Sequence, residues 1–394
     1  MQASDASFAP PVVATAPDVR GLVLEAAGAR RLAVDLEASG MFSYRARTCT
    51  VQLAWDAGRR VTIVDALTAP VMELAGLLGE RGPVKIVHDV AFDARLLAES
   101  GVELGNVHDT AVAARMLGRT ATGLASLLGA ELGVHIGKDM QQHDWRVRLL
   151  DASMLAYLAG DVAHLEALDR RLWDEVEARG IDAEVLEETR YRVACAVAAA
   201  RTPPTGPAYL RIKGIDRMAE RELAVLRAVA DVREREAERR DVPPYRVANT
   251  DALLAVARAR PMTPGEVARI RGIGVGSPAA RAFAAEVARA VASAGETLPS
   301  AERARFERPR TPASVVRARR EREGRLLAWR RAEAKRRGVD EQVVLPGHCA
   351  KDIVETEIAT VPDLARVPGI GAFRLERDGQ AIVRALRGDG DPAA

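Results

Sequence analysis

The stretch RRLAVDLEASG, residues 30–40, constrains the fold more than any other part of the chain. An apolar run, Leu32 to Val34, leads into Asp35, Leu36 and Glu37. Side chains alternate along a strand, so Asp35 and Glu37 share one face and Val34 and Leu36 take the other. Two carboxylates side by side repel unless a cation sits between them. A strand end carrying D-x-E is therefore either an exposed edge or half of a divalent-metal site. The second reading requires the rest of the chain to supply the missing ligands.

The surrounding pattern is α/β. Strands are predicted at Leu32–Glu37, Thr48–Trp55 and Arg60–Ala66, the last two joined as a hairpin through DAGRR. A helix over Pro70–Leu78 and a buried strand KIVHD (85–89) follow, then a helix over Val90–Glu99 and a strand over Val102–His108. Asp109 is an N-cap for a helix through Leu117, and Gly123–Leu132 is another helix. Residues 133–150 read as a loop, and one long helix is expected from about Asp151 to Arg179. A meander followed by alternating strands and helices predicts a mixed sheet.

Beyond the linker RTPPTGP (201–207) no strand pattern survives, and the sequence repeats itself. In each copy a long arginine-rich helix precedes a short extended segment, further helices, a Gly-x-Gly turn and a final helix. The turns are Gly272-Ile273-Gly274 and Gly369-Ile370-Gly371, read either as tight inter-helix turns or as amide cradles for phosphate. The expected organisation is a flexible leader (1–20), an α/β domain (21–200), a first all-α module (208–297), a basic linker (298–317) and a second all-α module (318–390).

Net charge is +2, but residues 1–200 hold 20 Lys+Arg against 28 Asp+Glu, leaving 37 against 27 for the remainder. An acidic front and a basic back suit cation ligation in one part and polyanion attraction in the other. No apolar run approaches the ~20 residues that span a bilayer. The leader lacks the features of a signal peptide. Cys49, Cys195 and Cys349 are far apart, fit no disulfide or zinc pattern and are expected as small core residues. A cytoplasmic protein is expected, with no membrane contact.

Two further segments supply acids. In VHDVAFDARLL, Asp93 stands one turn into a helix that follows a buried strand, four residues after Asp89. In LAYLAGDVAHLEAL, Tyr157 and Asp161 share a helix face with Met154, Leu158 and Leu165. By itself that pair reads as a tyrosine–carboxylate hydrogen bond on a half-buried surface. Asp65 and Asp109 read as structural caps, Asp89 as a helix N-terminal charge and His88 as a strand-end histidine with its hydrogen bonds satisfied.

Together, AVDLEASG, VHDVAFDARLL and YLAGD, in that order, resemble the three motifs of the DEDD exonuclease superfamily, in the subclass with tyrosine in the third. HDTAVAARML, VQLAW and HDWRVRLL narrow the resemblance to the ribonuclease D family, and the helical repeat resembles the paired HRDC domains of that family. Motif one departs from the frequent D-T-E-F, since Ala38 follows Glu37, so Phe42 or Tyr44 would have to stack on a terminal base.

The resemblance implies a ribonuclease H-like fold with a mixed sheet, followed by two HRDC-like domains. It implies 3′→5′ hydrolysis of RNA, in particular of tRNA precursors or other structured RNA, releasing nucleoside 5′-monophosphates. It also implies two divalent cations, Mg²⁺ or Mn²⁺, which suit all-carboxylate ligation. By the same carry-over Asp35, Glu37, Asp93 and Asp161 are the ligands, with Asp35 bridging. Tyr157 orients the water, because a phenol of pKa about 10 is a poor base at neutral pH. Tyr44, Lys138, Arg146 and Arg148 are candidate substrate contacts. A DNA-directed 3′→5′ exonuclease and a non-catalytic RNA-binding scaffold are the rival readings.

Overall fold

The computed structural model describes residues 10–137, 139–202, 205–274, 276–307 and 311–388. Lys138, and Arg308 and Arg310 of the basic run, lie outside the described residues. The described chain divides into two compact units. One comprises residues up to 37, 48–202 and 311 onward; the other comprises 38–47 and 203–310.

The first unit is built on a six-stranded mixed sheet. Its strands are β1 (Val12–Val13), β2 (Arg31–Ala38), β3 (Thr48–Trp55), β4 (Arg60–Asp65), β5 (Val84–Val87) and β6 (Val107–Asp109), in spatial order β1-β4-β3-β2-β5-β6. The hairpin β3–β4 is antiparallel, with Thr50 opposite Asp65 and Trp55 opposite Arg60. β5 runs parallel to both β2 and β6. β2 and β3 therefore occupy the middle, and every residue of β3 is buried.

The main helices of this unit are α1 (Ala16–Ala26), α2 (Ala91–Glu99), α3 (Thr110–Met116), α4 (Ala152–Ala163), α5 (Leu165–Ala178) and α6 (Asp182–Arg201). Two of these elements correct the expected leader: β1 pairs with β4, and α1 begins at Ala16 with Thr15 as N-cap and buries Val19, Leu22 and Ala26. The expected helix over 151–179 is two helices meeting at His164. The break lets α4 lie on β3 and β4 while α5 reaches β5. Gly58 fixes that junction. It adopts φ +81°, and a Cβ there would stand 2.0 Å from the carbonyl oxygen of Ala163, so only glycine fits.

Other boundaries are shorter than their sequence signals. Of the predicted strand 102–108 only Val107 and His108 fall in β6, and the helix over 70–78 is a 3-10 turn, Val71–Leu74, running into one α-turn, Ala75–Leu78. Among the cysteines, Cys49 and Cys349 are buried as expected, but Cys195 is exposed on α6.

The helical repeat matches element for element. The first copy has α7 (Glu220–Arg239), one turn at Pro244–Val247, α8 (Thr250–Ala259), one turn at Pro264–Val267 and α9 (Pro278–Ser293). The second has α10 (Ala313–Arg337), one turn at Glu341–Val344, α11 (Gly347–Glu355), one turn at Val361–Leu364 and α12 (Ala372–Arg387). The segments read as extended are single helical turns. Capping boxes recur at equivalent places, Thr263 with Glu266 and Thr360 with Asp363. α10 begins at Ala313, inside the expected linker.

The second copy shares the first unit's core: Val343 packs in one cluster with Leu168, Leu172, Trp173 and Val185. Glu184 of α6, fully buried, is bridged by Arg337 at 2.6 Å and Arg377 at 2.5 Å. Arg374, also fully buried, donates to the carbonyls of Glu184 and Val343 and pairs with Glu187. In the second unit the segment 38–47 belongs to the first helical copy, whose core includes Leu226, Leu253 and Phe283 with Tyr44 packed against it.

Candidate active site

Asp35 and Glu37 emerge on one face at the end of β2, as alternation requires, while Leu36 between them is buried. Across from them stands α4, which Asp151 caps and which buries Met154, Leu158 and Val162 at four-residue spacing. This stripe seats α4 and leaves Tyr157 and Asp161 half-buried. Carboxylate oxygens of Asp35, Glu37 and Asp161 lie within 4.8 Å of one another.

Asp93 falls outside that tight triplet, yet Asp35 and Glu37 are the charges that act on it most strongly. It is buried in the first turn of α2. That turn is organised by Asp109, itself buried, whose carboxylate accepts from the backbone N–H groups of Asp89 and Val90 as well as capping α3 through Ala111 and Val112. Asp89 takes a positive φ of 62° there and points to solvent. Asp109 is thus more than the cap expected from sequence. It sets the entry of α2, and hence Asp93, against β5. The expectations for His88 and Asp65 hold as structural roles: His88 Nδ1 pairs with Thr110, and Asp65 accepts from Leu67 N.

The electrostatics are those of crowded acids. Burial first, then Asp161, pushes Asp35 up to about 8. Burial, then Asp35 and Asp161, pushes Glu37 up to about 9. Burial raises Asp161 to about 7 against a hydrogen bond from Tyr157 that lowers it. Asp93 is raised well above the ordinary carboxylate range by burial, Asp35 and Glu37. Burial and the same acids drive the Tyr157 phenol above its ordinary value. Half-buried carboxylates that raise one another's pKa favour a hard, oxygen-seeking divalent cation, so the donor set fits such an ion.

The candidate substrate contacts fare unevenly. Tyr44 packs into the first helical copy, its hydroxyl against Glu234 and its N–H on Asp241, which ties it to that module's core. Arg148 is fully engaged. Its Nε and Nη2 pair bidentately with Asp65 at 2.7 Å each, Nη2 also reaches Cys49 O, and Nη1 reaches the carbonyls of Trp145 and Val147. All five N–H donors are used, which corrects its reading as a phosphate ligand. Arg146 is exposed and forks onto Asp144, and Lys138 lies outside the described residues. Trp145 was passed over as a loop residue. It is buried, and its ring stacks on Tyr157 at 5.6 Å between centroids. A large apolar ring inside the polar run QQHDWRVR was the available signal.

Both Gly-x-Gly segments form tight turns between helices. Gly272 and Gly369 hold positive φ, and Ile273 and Ile370 plug their module cores. At the second turn the start of α12 is already served by a carboxylate, since Phe373 N donates to Glu187 at 2.6 Å.

Comparison with known proteins agrees with this geometry. Residues 11–177 match the family of 3′-5′ exonucleases, and residues 222–291 and 320–386 each match the HRDC domain. A ribonuclease D from Gluconacetobacter diazotrophicus is 33% identical over 284 residues, covering 69% of each chain. A second, from Granulibacter bethesdensis, is 32% identical over 292 residues, covering 72% of each. The crystal structure of Escherichia coli RNase D, an exoribonuclease involved in structured RNA processing, superposes with a TM-score of 0.69. It is 20% identical to this chain, covering 98% of it and all of the E. coli chain, and so supports the fold. No helix among the described residues is long and apolar enough to cross a membrane.

Proposed function

The chain belongs to the ribonuclease D family and is a 3′→5′ exoribonuclease; from this premise we propose that it trims structured RNA, such as tRNA precursors, from the 3′ end. We assign Asp35, Glu37, Asp93 and Asp161 to hold two divalent cations, Mg²⁺ or Mn²⁺. The carrying observation is the convergence of the Asp35, Glu37 and Asp161 oxygens within 4.8 Å.

When bound, two such cations supply activation of the attacking water and neutralisation of charge on the departing oxygen. The rest of the chemistry is the chain's own. The four carboxylates would hold those cations beside α4. Tyr157 keeps its proton at neutral pH, because its surroundings raise the phenol. Its hydroxyl donates to Asp161, which leaves the phenolic oxygen to accept from and orient the incoming water and leaves the general-base role to others. Hydrolysis on the 5′ side of the terminal residue's phosphate releases a nucleoside 5′-monophosphate.

The RNA preference is supported by the relatives' shared name and by the structured-RNA role of the E. coli protein. The arginine-rich helix α10 adds sequence-independent, salt-sensitive attraction for the phosphate backbone. A cytoplasmic setting belongs to the same reading. The test is degradation of 5′-labelled RNA and DNA of one sequence with Mg²⁺, with Asp35→Asn as control. Laddering from the 3′ end of RNA alone supports the proposal. Equal cleavage of DNA turns the account toward a DNA exonuclease, and binding without cleavage leaves a scaffold.

A further inference from the structure

Resting on the hydrolytic role of Tyr157, we propose that Arg148 and Asp65 form a clasp that positions the Tyr157 ring through Trp145, so that Arg148 is a positioning residue for hydrolysis and makes no contact with RNA phosphate. Asp65 ends β4 and is buried, and Arg148 lies in the segment just before α4. The bidentate pair, with the bond from Arg148 to Cys49 O, ties this segment to the ends of β3 and β4. The remaining guanidinium donors close back onto the carbonyls of Trp145 and Val147. The same arginine thus fixes the sheet and the backbone of Trp145 in one rigid fork.

Trp145 is the consequence of that fork. It packs with Cys49, Ile63, Met154 and Leu158 in a single cluster, and Tyr157 lies against that cluster. Tyr157 is two-sided: its ring rests on Trp145 at an interplanar angle of 30°, and its hydroxyl bonds to Asp161. A phenol that must donate along one direction depends on both contacts. Against the upward push of burial, the Arg148 hydrogen bond holds the Asp65 carboxyl below its ordinary range, so the pair stays ionised at working pH. Lysine in place of Arg148 keeps the charge but offers no fork.

Four versions of the full chain test this: wild type, Arg148→Lys, Tyr157→Phe and the double variant. They are assayed on 3′-end RNA hydrolysis with Mg²⁺, and 3-fluorotyrosine NMR is recorded in parallel. Misplacement of a positioned group by about 1 Å costs up to ~10²-fold. Arg148→Lys should therefore lower kcat by roughly ten- to a hundredfold with KM within about twofold. The same change in the Tyr157→Phe background should cost less than about threefold, because the two act as one unit. The chain has five tyrosines, and the fluorine line lost in Tyr157→Phe should be the one displaced in Arg148→Lys. If Arg148→Lys does not fold, Asp65→Asn carries the same comparison. A raised KM with unchanged kcat, full additivity with Tyr157→Phe, or an unmoved Tyr157 line overturns the clasp. An inactive wild type overturns the exonuclease reading, and the fluorine line then judges the clasp independently.

Discussion

Removing one acid from the cluster should stabilise the metal-free protein at alkaline pH. Asp161 carries a carboxyl raised from 3.8 to about 7. A folded-state pKa above the unfolded value means that the native state holds its proton longer. The associated stability is present below about pH 4 and is lost as pH rises through about 7. At about 1.36 kcal/mol per tenfold, the whole shift is worth on the order of 4 kcal/mol, of which about 2–3 kcal/mol falls between pH 5 and 8.5. Asp161→Asn abolishes this slope. It also weakens the bond with Tyr157, a pH-independent loss of about 1 kcal/mol. The difference in unfolding free energy, variant minus wild type, should therefore rise by roughly 2–3 kcal/mol from pH 5 to 8.5 in EDTA. Urea unfolding followed by tryptophan fluorescence reads this directly. All four tryptophans, Trp55, Trp145, Trp173 and Trp329, lie in the unit that holds the site. Mg²⁺ at about 100 times its Kd should return ~2.7 kcal/mol to the wild type and much less to the variant. A difference that is flat with pH, or that falls toward pH 8.5, would refute the burial of this carboxylate as the source of its raised pKa.

Other parts of the structure make separate claims. Glu184→Ala should cost about 3–5 kcal/mol, because it strands Arg337 beside a fully buried position and leaves Arg377 with Asp378 alone. The hydrogen bonds of those arginines outweigh burial and hold Glu184 below the ordinary glutamate value. Its contribution should be present above about pH 4.5 and vanish as pH falls through the lowered value, which an acid titration of the wild type against Glu184→Gln would detect. Gly58→Ala should lower the urea midpoint sharply, since φ +81° and the Ala163 carbonyl both oppose a Cβ. Tyr44→Phe should change kcat/KM on RNA by less than about twofold, because that hydroxyl faces Glu234 within the helical module. A larger loss in this last assay would restore Tyr44 as a substrate contact.

What could be read from the sequence was whatever depends on neighbours along the chain. Alternation put Asp35 and Glu37 on one face, and four-residue spacing put Tyr157 above Asp161. The repeat announced two helical modules. The helix that begins inside the expected leader was not read, although Thr15 followed by Pro17 and Asp18 is an N-terminal signature, because the flanking prolines read as a flexible segment. Pairings distant in sequence were not legible. Nothing local says that Arg148 reaches Asp65 across 83 residues and Cys49 across 99, or that Arg337 reaches Glu184 across 153 residues. Such pairs are selected by the folded geometry, so arginines that read as free cations can turn out to be internal fasteners. The same holds for the second helical module, whose Val343 belongs to the exonuclease core although composition marks it as separate.

The most direct measurement follows the product released by the full chain from a structured RNA labelled at its 3′-terminal residue, with Mg²⁺ present and then removed by EDTA. The account predicts a nucleoside 5′-monophosphate as the first labelled product, no release in EDTA, and a rate at least ~10³-fold lower for Asp35→Asn. Release of labelled oligonucleotides, release that persists in EDTA, or an Asp35→Asn variant as fast as the wild type would contradict it.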